Sequence, residues 1–170
     1  MNLKALPITL WQNNSFKKEY FDIVVANHVL FYVKDIDKGL KEVKRVLKTD
    51  GVFYCSTYGK THMKEITDIV QNFDATIVLS ENNLYERFGL ENGESILKNY
   101  FSEIKKVIYP DCLIIDEAQP LIDYIMSCNG NQREILGPKM YEFKKYIQTI
   151  LDEKGSIEIS KNAGMFICKI

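Results

Sequence analysis

A run of apolar side chains near the start of the chain carries the clearest structural signal. The stretch FDIVVANHVLFYVKD, residues 21–35, begins with an almost uninterrupted apolar run and changes abruptly at the polar pair Asn27 and His28. Continuous β-branched runs are typical of parallel strands that are covered on both faces. The pattern therefore predicts a buried parallel strand that ends at two side chains able to form hydrogen bonds.

A helix and a second strand follow at short spacing. Asp35 is placed to cap a helix, and DIDKGLKEVKRVLK repeats its apolar side chains at helical spacing with the charges turned outward. Asp50 and Gly51 supply a turn before the apolar stretch VFYCST, residues 52–57. Because strand–helix–strand crossovers are parallel and right-handed, we expect an α/β fold in which these two strands are neighbours.

The rest of the chain alternates between helical and strand-like patterns. Helices are predicted over residues 61–73, 92–101, 117–128 and 138–155. Residues 104–116 are strand-like but contain Pro110, which cannot donate to a strand ladder and so indicates a bend or an edge strand. Residues 129–138 are predicted to be a loop, and the tail a hairpin of two short strands joined by KNAG. Because the sequence contains no repeats or linker-like segments, residues 1–170 are predicted to form a single domain.

Composition excludes several classes of partner. The 22 basic and 23 acidic residues give a formal net charge of -1, which provides no electrostatic reason to bind nucleic acid or an anionic membrane. The apolar runs are too short for a membrane span, and the first residues lack the pattern of a signal peptide, so we expect a cytoplasmic protein. The four cysteines show no metal-ligand spacing, so neither a metal site nor a disulfide is expected.

The order of these segments resembles that of class I S-adenosylmethionine-dependent methyltransferases, specifically the small-molecule branch related to the quinone-biosynthesis enzymes. The residues that carry the resemblance are the strand beginning Phe21-Asp22 and the helix ending in RVLK, residues 45–48. Thr49-Asp50-Gly51 then stands where that family has Pro-Gly-Gly. Residues 88–127 and the closing segment 155–170 are also similar to one subgroup of these enzymes.

The resemblance implies a partial Rossmann-like methyltransferase sheet. The family order is 3-2-1-4-5-7-6 with the seventh strand antiparallel, and this chain would supply strands 4-5-7-6. ALPITL, residues 5–10, resembles the segment that follows the third strand, so the resemblance implies an N-terminally truncated chain. Helical lid segments at residues 73–101 and 121–146 would cover the acceptor pocket.

The expected cofactor loop is absent from the sequence. The family binds S-adenosylmethionine with a GxGxG loop, whereas the nine glycines of this chain include no GxG. Only a residue without Cβ lets the backbone approach the cofactor so closely. We therefore expect this chain alone to bind S-adenosylmethionine weakly or not at all.

The resemblance also assigns residues to the cofactor. It implies that Ala26 and Asn27 lie at the methionine end of S-adenosylmethionine, with Val29 and Leu30 beneath it. Leu6 is expected near the adenine.

The acceptor side is implied by the same comparison. His28 and Tyr32 would face a small-molecule methyl acceptor, and Tyr58 could line the same opening. A histidine there could act as a general base, which makes His28 the candidate catalytic residue. The alternatives are a histidine bonded to a backbone carbonyl and tyrosines that only pack. No residue identifies the acceptor.

A truncated sheet would leave residues 21–27 at its edge. An apolar edge with unpaired amides invites pairing with another chain, so we expect a homodimer through this strand unless residues 3–11 fold back as a substitute. Three hypotheses remain open: a methyltransferase whose cofactor half lies outside this chain, a non-catalytic methyltransferase-like subunit that pairs through the edge, and an unrelated doubly wound domain that binds a small metabolite.

Overall fold

A computed structural model describes residues 16–80 and 82–170 and shows an α/β fold built on one mixed sheet. Its four strands are β1 (Phe21–Asn27), β2 (Leu47–Tyr58), β3 (Glu103–Ile115) and β4 (Ile157–Lys169). Across the sheet they lie in the order β1-β2-β4-β3. This is the order 4-5-7-6 expected from the resemblance, so the predicted fold class is confirmed.

The pairing of β1 and β2 determines which residues meet at one end of the sheet. The two strands are parallel, with Ala26 opposite Cys55 and Asn27 opposite Ser56. On its other side β2 pairs with β4 in the antiparallel sense. The carboxyl ends of β1 and β2 therefore lie side by side.

The described residues also form seven α-helices and a short 3-10 helix at Leu30–Tyr32. The α-helices are α1 (Ile36–Val46), α2 (Lys64–Phe73), α3 (Leu84–Arg87), α4 (Gly93–Leu97), α5 (Ala118–Ser127), α6 (Gln132–Leu136) and α7 (Met140–Lys154). Asp35 caps α1 as predicted, since its carboxylate accepts a hydrogen bond of 2.9 Å from the backbone N–H of Lys38.

The predicted hairpin at the end of the chain is wrong, because residues 157–169 form the single strand β4. The glycine of KNAG is explained by a close approach rather than by a turn. A Cβ on Gly164 would lie 2.6 Å from the carbonyl oxygen of Val107. Glycine is therefore needed where another backbone passes close by.

Two further elements differ from the prediction. β2 begins five residues early, at Leu47, and its pairing with β1 shifts register between Phe21 and Ile23, so the expected turn at Asp50 and Gly51 is an irregularity within the strand. The expected loop at 129–138 contains α6, whose Gln132 and Leu136 are buried. The interpretation of Pro110 is confirmed, because β3 lies at the edge of the described sheet.

The chain divides into two compact units, each with its own apolar core. The first contains the described residues up to Lys60, together with Leu84–Tyr109 and Ala163–Ile170. Its core combines side chains of β1, β2 and α1, such as Ala26, Phe53 and Leu40. The second unit contains the described residues of Thr61–Asn83 and Pro110–Asn162, with a core of helix side chains such as Ile125 and Phe143. A single domain over residues 1–170 remains a prediction.

One expectation about β1 is wrong. The strand was predicted to be covered on both faces, but only the face that carries Val24 and Ala26 packs into the core of the first unit. Ile23 and Val25, on the opposite face, are 40% and 58% exposed. No described element covers them.

Candidate functional site

The candidate site lies where β1 and β2 end next to each other. In open α/β sheets, ligands bind in the crevice beyond the carboxyl ends of the parallel strands. Here those ends present Asn27 and His28 from β1, and Ser56 and Tyr58 from β2. All four lie in the first unit. Polar and aromatic side chains from two strands thus lie close together at the carboxyl ends of β1 and β2.

A short chain of hydrogen bonds links these residues. The backbone N–H of His28 donates to the side-chain oxygen of Ser56 at 3.1 Å and to its carbonyl oxygen at 3.3 Å. The Ser56 hydroxyl in turn donates to Oδ1 of Asn27. The three residues are therefore held as one group.

The backbone of His28 departs from the usual conformation. Its φ is +49°, in the left-handed region. Histidine enters this region more readily than most residues, but such a position still costs on the order of 1–3 kcal/mol. The two hydrogen bonds from its N–H help to hold the turn, which takes the chain off the end of β1.

Two aromatic rings lie beside the His28 imidazole, and a third, that of Tyr32, packs against one of them. The imidazole ring is nearly parallel to that of Tyr58, at an interplanar angle of 12° and a centroid distance of 6.4 Å. The buried ring of Phe31 meets Tyr58 edge-on at 5.3 Å and lies 6.4 Å from His28. Tyr32 contacts Phe31 at 4.7 Å and is itself 57% exposed. The rings lie on one side of the imidazole, and the histidine as a whole remains exposed.

The end of β2 is fastened by the segment that follows α3. The buried hydroxyl of Thr57 donates to the carbonyl oxygen of Phe88 at 2.7 Å. The backbone N–H of Leu90 donates to the carbonyl oxygen of Tyr58 at 3.2 Å, and that of Lys60 donates to a carboxylate oxygen of Glu91 at 3.0 Å. These bonds hold the backbone on both sides of Tyr58.

The predicted cofactor residues fall into three environments. Asn27 is exposed, Val29 is half-buried, and Ala26 and Leu30 are buried in the core. Leu30 could therefore support a ligand only from below. Leu6 lies outside the described residues. The roles assigned to these residues remain predictions.

Ser56 and Phe31 were not singled out in the sequence, although each contacts a predicted site residue. The sequence places Ser56 near the end of a predicted strand, but its position next to Asn27 depends on the observed register between β1 and β2. Phe31 gave no signal, since an aromatic side chain in an apolar run is equally typical of a core.

The cysteines give no evidence of reactive chemistry. All four are free, and Cys55 and Cys168 are buried. A hydrogen bond with Cys168 and burial raise the pKa of the Cys55 thiol, so this thiol does not ionise near neutral pH. Across residues 16–80 and 82–170, no three potential metal-ligating side chains come together as a site.

Comparison with known proteins connects the amino-terminal part of the chain to one family. Residues 10–55 match the model of the methyltransferase domain family. The matched segment includes β1, α1 and the first part of β2, and so contains Asn27 and His28. None of the curated protein sequences matches the chain.

Two solved structures with TM-scores of 0.50 and 0.56 share the fold of this chain. The YcgJ protein of Bacillus subtilis matches 94% of this chain and 68% of its own, with a TM-score of 0.50 and 16% identity. A methyltransferase from an antibiotic biosynthesis pathway of Anabaena variabilis matches 94% of this chain and 71% of its own, with a TM-score of 0.56 and 8% identity. A methyltransferase of Thermotoga maritima has a TM-score of 0.47 and 14% identity, and 94% of this chain covers 60% of that protein. This chain thus spans roughly two thirds of these relatives.

Within the described parts of the chain, no helix combines the length and the apolar character of a membrane span.

Proposed function

We propose that this chain provides the acceptor side of an S-adenosylmethionine-dependent methyltransferase that acts on a small molecule. The observation that carries the proposal is the group formed by Asn27, His28 and Ser56 at the carboxyl ends of two parallel strands. The family match over residues 10–55 and the shared fold support it.

The cofactor would lie against the end of β1. Ala26 and Asn27 are assigned to its methionine end, and Val29 and Leu30 to the surface beneath it. Asn27 fits this role best. It is exposed at the strand end, and the hydrogen bond from Ser56 to its side-chain oxygen holds the side chain in place. Bound S-adenosylmethionine supplies an activated methyl group.

The acceptor would lie beside the aromatic group. Tyr32 and Tyr58 are assigned to its binding, and His28 to the removal of a proton from the acceptor. The imidazole lies beside the ring of Tyr58 and the residue is exposed, so it is accessible to a molecule bound at these strand ends. A correctly held base typically contributes about 10²- to 10⁴-fold to the rate.

Calorimetric titration with S-adenosylmethionine tests the cofactor assignment. The sequence has no GxG loop to bring backbone amides against the cofactor, so we expect weak binding with a dissociation constant between about 0.1 and 5 mM, or roughly 3 to 5.5 kcal/mol of binding free energy. A micromolar constant would show that the described strand ends, or other residues of this chain, replace the glycine loop, and would refute this part of the proposal.

A second candidate function follows from the exposed face of β1. Ile23 and Val25 are uncovered at the edge of the described sheet, which favours a non-catalytic subunit that pairs with another chain there. We propose a second copy of this chain as the partner. In an antiparallel pair centred on Val24, Ile23 of each copy lies opposite Val25 of the other, and Asp22 faces Ala26 rather than a like charge.

A further inference from the structure

Ser56 joins the two polar residues at the end of β1 and has no other assigned role. We propose that Ser56 is a positioning residue that turns the side-chain amide of Asn27 outward, so that its two N–H donors select a carboxylate or carbonyl oxygen of the ligand. The ligand part of this inference rests on the proposed function, whereas the orientation of the amide does not.

The hydrogen bond between Ser56 and Oδ1 of Asn27 shows the orientation of the Asn27 side-chain amide. The backbone N–H of His28 can only donate, so the side-chain oxygen of Ser56 accepts from it. The single hydroxyl hydrogen of Ser56 is then available for Asn27, whose Oδ1 accepts it. Since Oδ1 points at Ser56, the Nδ2 amide group points away from β2.

Ser56 is well placed to hold this orientation. It is only 8% exposed, and its backbone lies in the middle of the sheet, opposite Asn27 of β1 on one side and Met165 of β4 on the other. A group on paired strands is held more precisely than one on a loop. Asn27, in contrast, is exposed, so its outward donors are accessible to a ligand.

The chemistry of the exposed group restricts the ligand. A side-chain amide that already accepts through its oxygen offers two donors, which match a group that only accepts hydrogen bonds. Among residues 16–80 and 82–170, no hydrogen bond of the protein uses Nδ2 of Asn27. The carboxylate of the amino-acid part of S-adenosylmethionine has the required chemistry, and so does a carbonyl group of the methyl acceptor.

Nuclear magnetic relaxation of the Asn27 side-chain amide tests the orientation without any ligand. We expect an order parameter near that of rigid groups, about 0.8, in the unchanged protein. Ser56→Ala should lower it below about 0.6 and speed hydrogen exchange of the His28 amide, while Ser56→Thr, which keeps a hydroxyl, should restore both. A value below about 0.6 in the unchanged protein would overturn the inference even if a variant fails to fold. An unchanged value in folded Ser56→Ala would also overturn it.

The ligand part is tested with two probes at up to about 5 mM, a range in which weak binding is still measurable. S-adenosylhomocysteine carries the amino-acid carboxylate, and 5′-methylthioadenosine lacks it. We expect the first probe, and not the second, to shift the Nδ2 resonances of Asn27. Asn27→Asp keeps an acceptor for Ser56 but removes both donors, and should weaken binding of the first probe at least tenfold.

The remaining outcomes separate this inference from the proposed function. If S-adenosylhomocysteine shifts other resonances at the ends of β1 and β2 but leaves those of Asn27 unchanged, the carboxylate assignment is overturned and the proposed function stands. If neither probe shifts any resonance, the proposed cofactor fails and the ligand part fails with it, while relaxation still decides the role of Ser56. Equal shifts from both probes would contradict selection of the carboxylate.

Discussion

At the scale of single residues, buried hydroxyl groups hold the end of β2 in place. Thr57 is fully buried, and its hydroxyl donates to the carbonyl oxygen of Phe88, which is itself fully buried. A buried carbonyl that loses its hydrogen-bond donor is removed from water without a replacement partner, and this lowers the stability of the folded state. This one bond therefore contributes to the position of Tyr58, the next residue along the strand.

Thr57→Val removes that donor while keeping the shape of the side chain. We expect the free energy of unfolding to fall by about 1–3 kcal/mol, because the carbonyl of Phe88 is left without its partner. The midpoint of urea unfolding measures the change. Thr149→Val is the matched control, since its hydroxyl bonds to the carbonyl of Lys145 on an exposed helix surface. A loss no larger than that of the control would contradict the account.

A second residue-scale prediction concerns the carboxylate of Asp74 in the second unit. The Lys139 ammonium at 2.8 Å and the hydroxyl and backbone N–H of Thr76 lower the pKa of Asp74 from 3.8 to about 2. A carboxylate whose pKa is lowered by folding stabilises the fold above its unfolded pKa. That contribution is lost as the pH falls from about 3.8 through about 2.

Lys139→Met should raise the pKa of Asp74 and remove part of this contribution. We expect the variant to be less stable than the unchanged protein at neutral pH, with the difference disappearing below about pH 2. Carbon NMR of the carboxyl group measures the pKa, and unfolding at several pH values measures the stability. Lys145→Met, on the exposed side of α7, should change neither. A stability difference that persists unchanged into acid would contradict this explanation.

At the scale of elements, the exposed face of β1 is the feature that most needs a partner. Ile23 and Val25 point away from the core of the first unit at the edge of the described sheet. Full burial of such a side chain contributes roughly 1.5–3 kcal/mol. Pairing through β1 would extend the sheet and place apolar side chains of the second copy beside both of them.

Val25→Lys should prevent that pairing if a second copy covers the edge. Light scattering of the unchanged protein is expected to show a dimer, and the variant a monomer, because a lysine would place a charge in the apolar contact. Ile114→Lys, on the exposed edge strand β3, is the matched control and should leave the dimer intact. A monomer in the unchanged protein, with residues 21–27 exchanging their amide hydrogens rapidly, would contradict the dimer.

The elements also show how far sequence reasoning reached. The parallel pair β1 and β2 with its capped helix was predictable. The spacing of the apolar side chains, the helix cap and the short connections all indicate the same strand–helix–strand unit. The continuity of β4 was not, since the glycine of KNAG is required by the passing carbonyl of Val107, a contact made by residues distant in sequence. α6 was missed for a similar reason, because burial of Gln132 and Leu136 depends on the tertiary fold.

The same limit applies to the candidate site. Asn27 and His28 were identifiable because polar side chains end an apolar strand. The role of Ser56 depends on the register between two strands, which no local pattern states. The face of Ile23 and Val25 was expected to be covered, and its exposure follows from the absence of a covering element among the described residues.

At the scale of the whole molecule, the described residues of the candidate site belong to the first compact unit. The segments expected to form lids fall in both units, since residues 84–101 belong to the first and residues 121–146 to the second. The family match, at residues 10–55, ends within β2. The case for methyl transfer therefore depends on the strand ends of the first unit and on the shared sheet order.

Mapping the binding of S-adenosylhomocysteine by backbone amide NMR tests the central claim most directly. The account predicts that, at millimolar concentrations of this probe, the largest shifts lie in residues 26–30 and 56–58, at the carboxyl ends of β1 and β2. If the largest shifts lie elsewhere in the chain, or if no resonance shifts at all, the assignment of a methyl-transfer site to the carboxyl ends of β1 and β2 is contradicted.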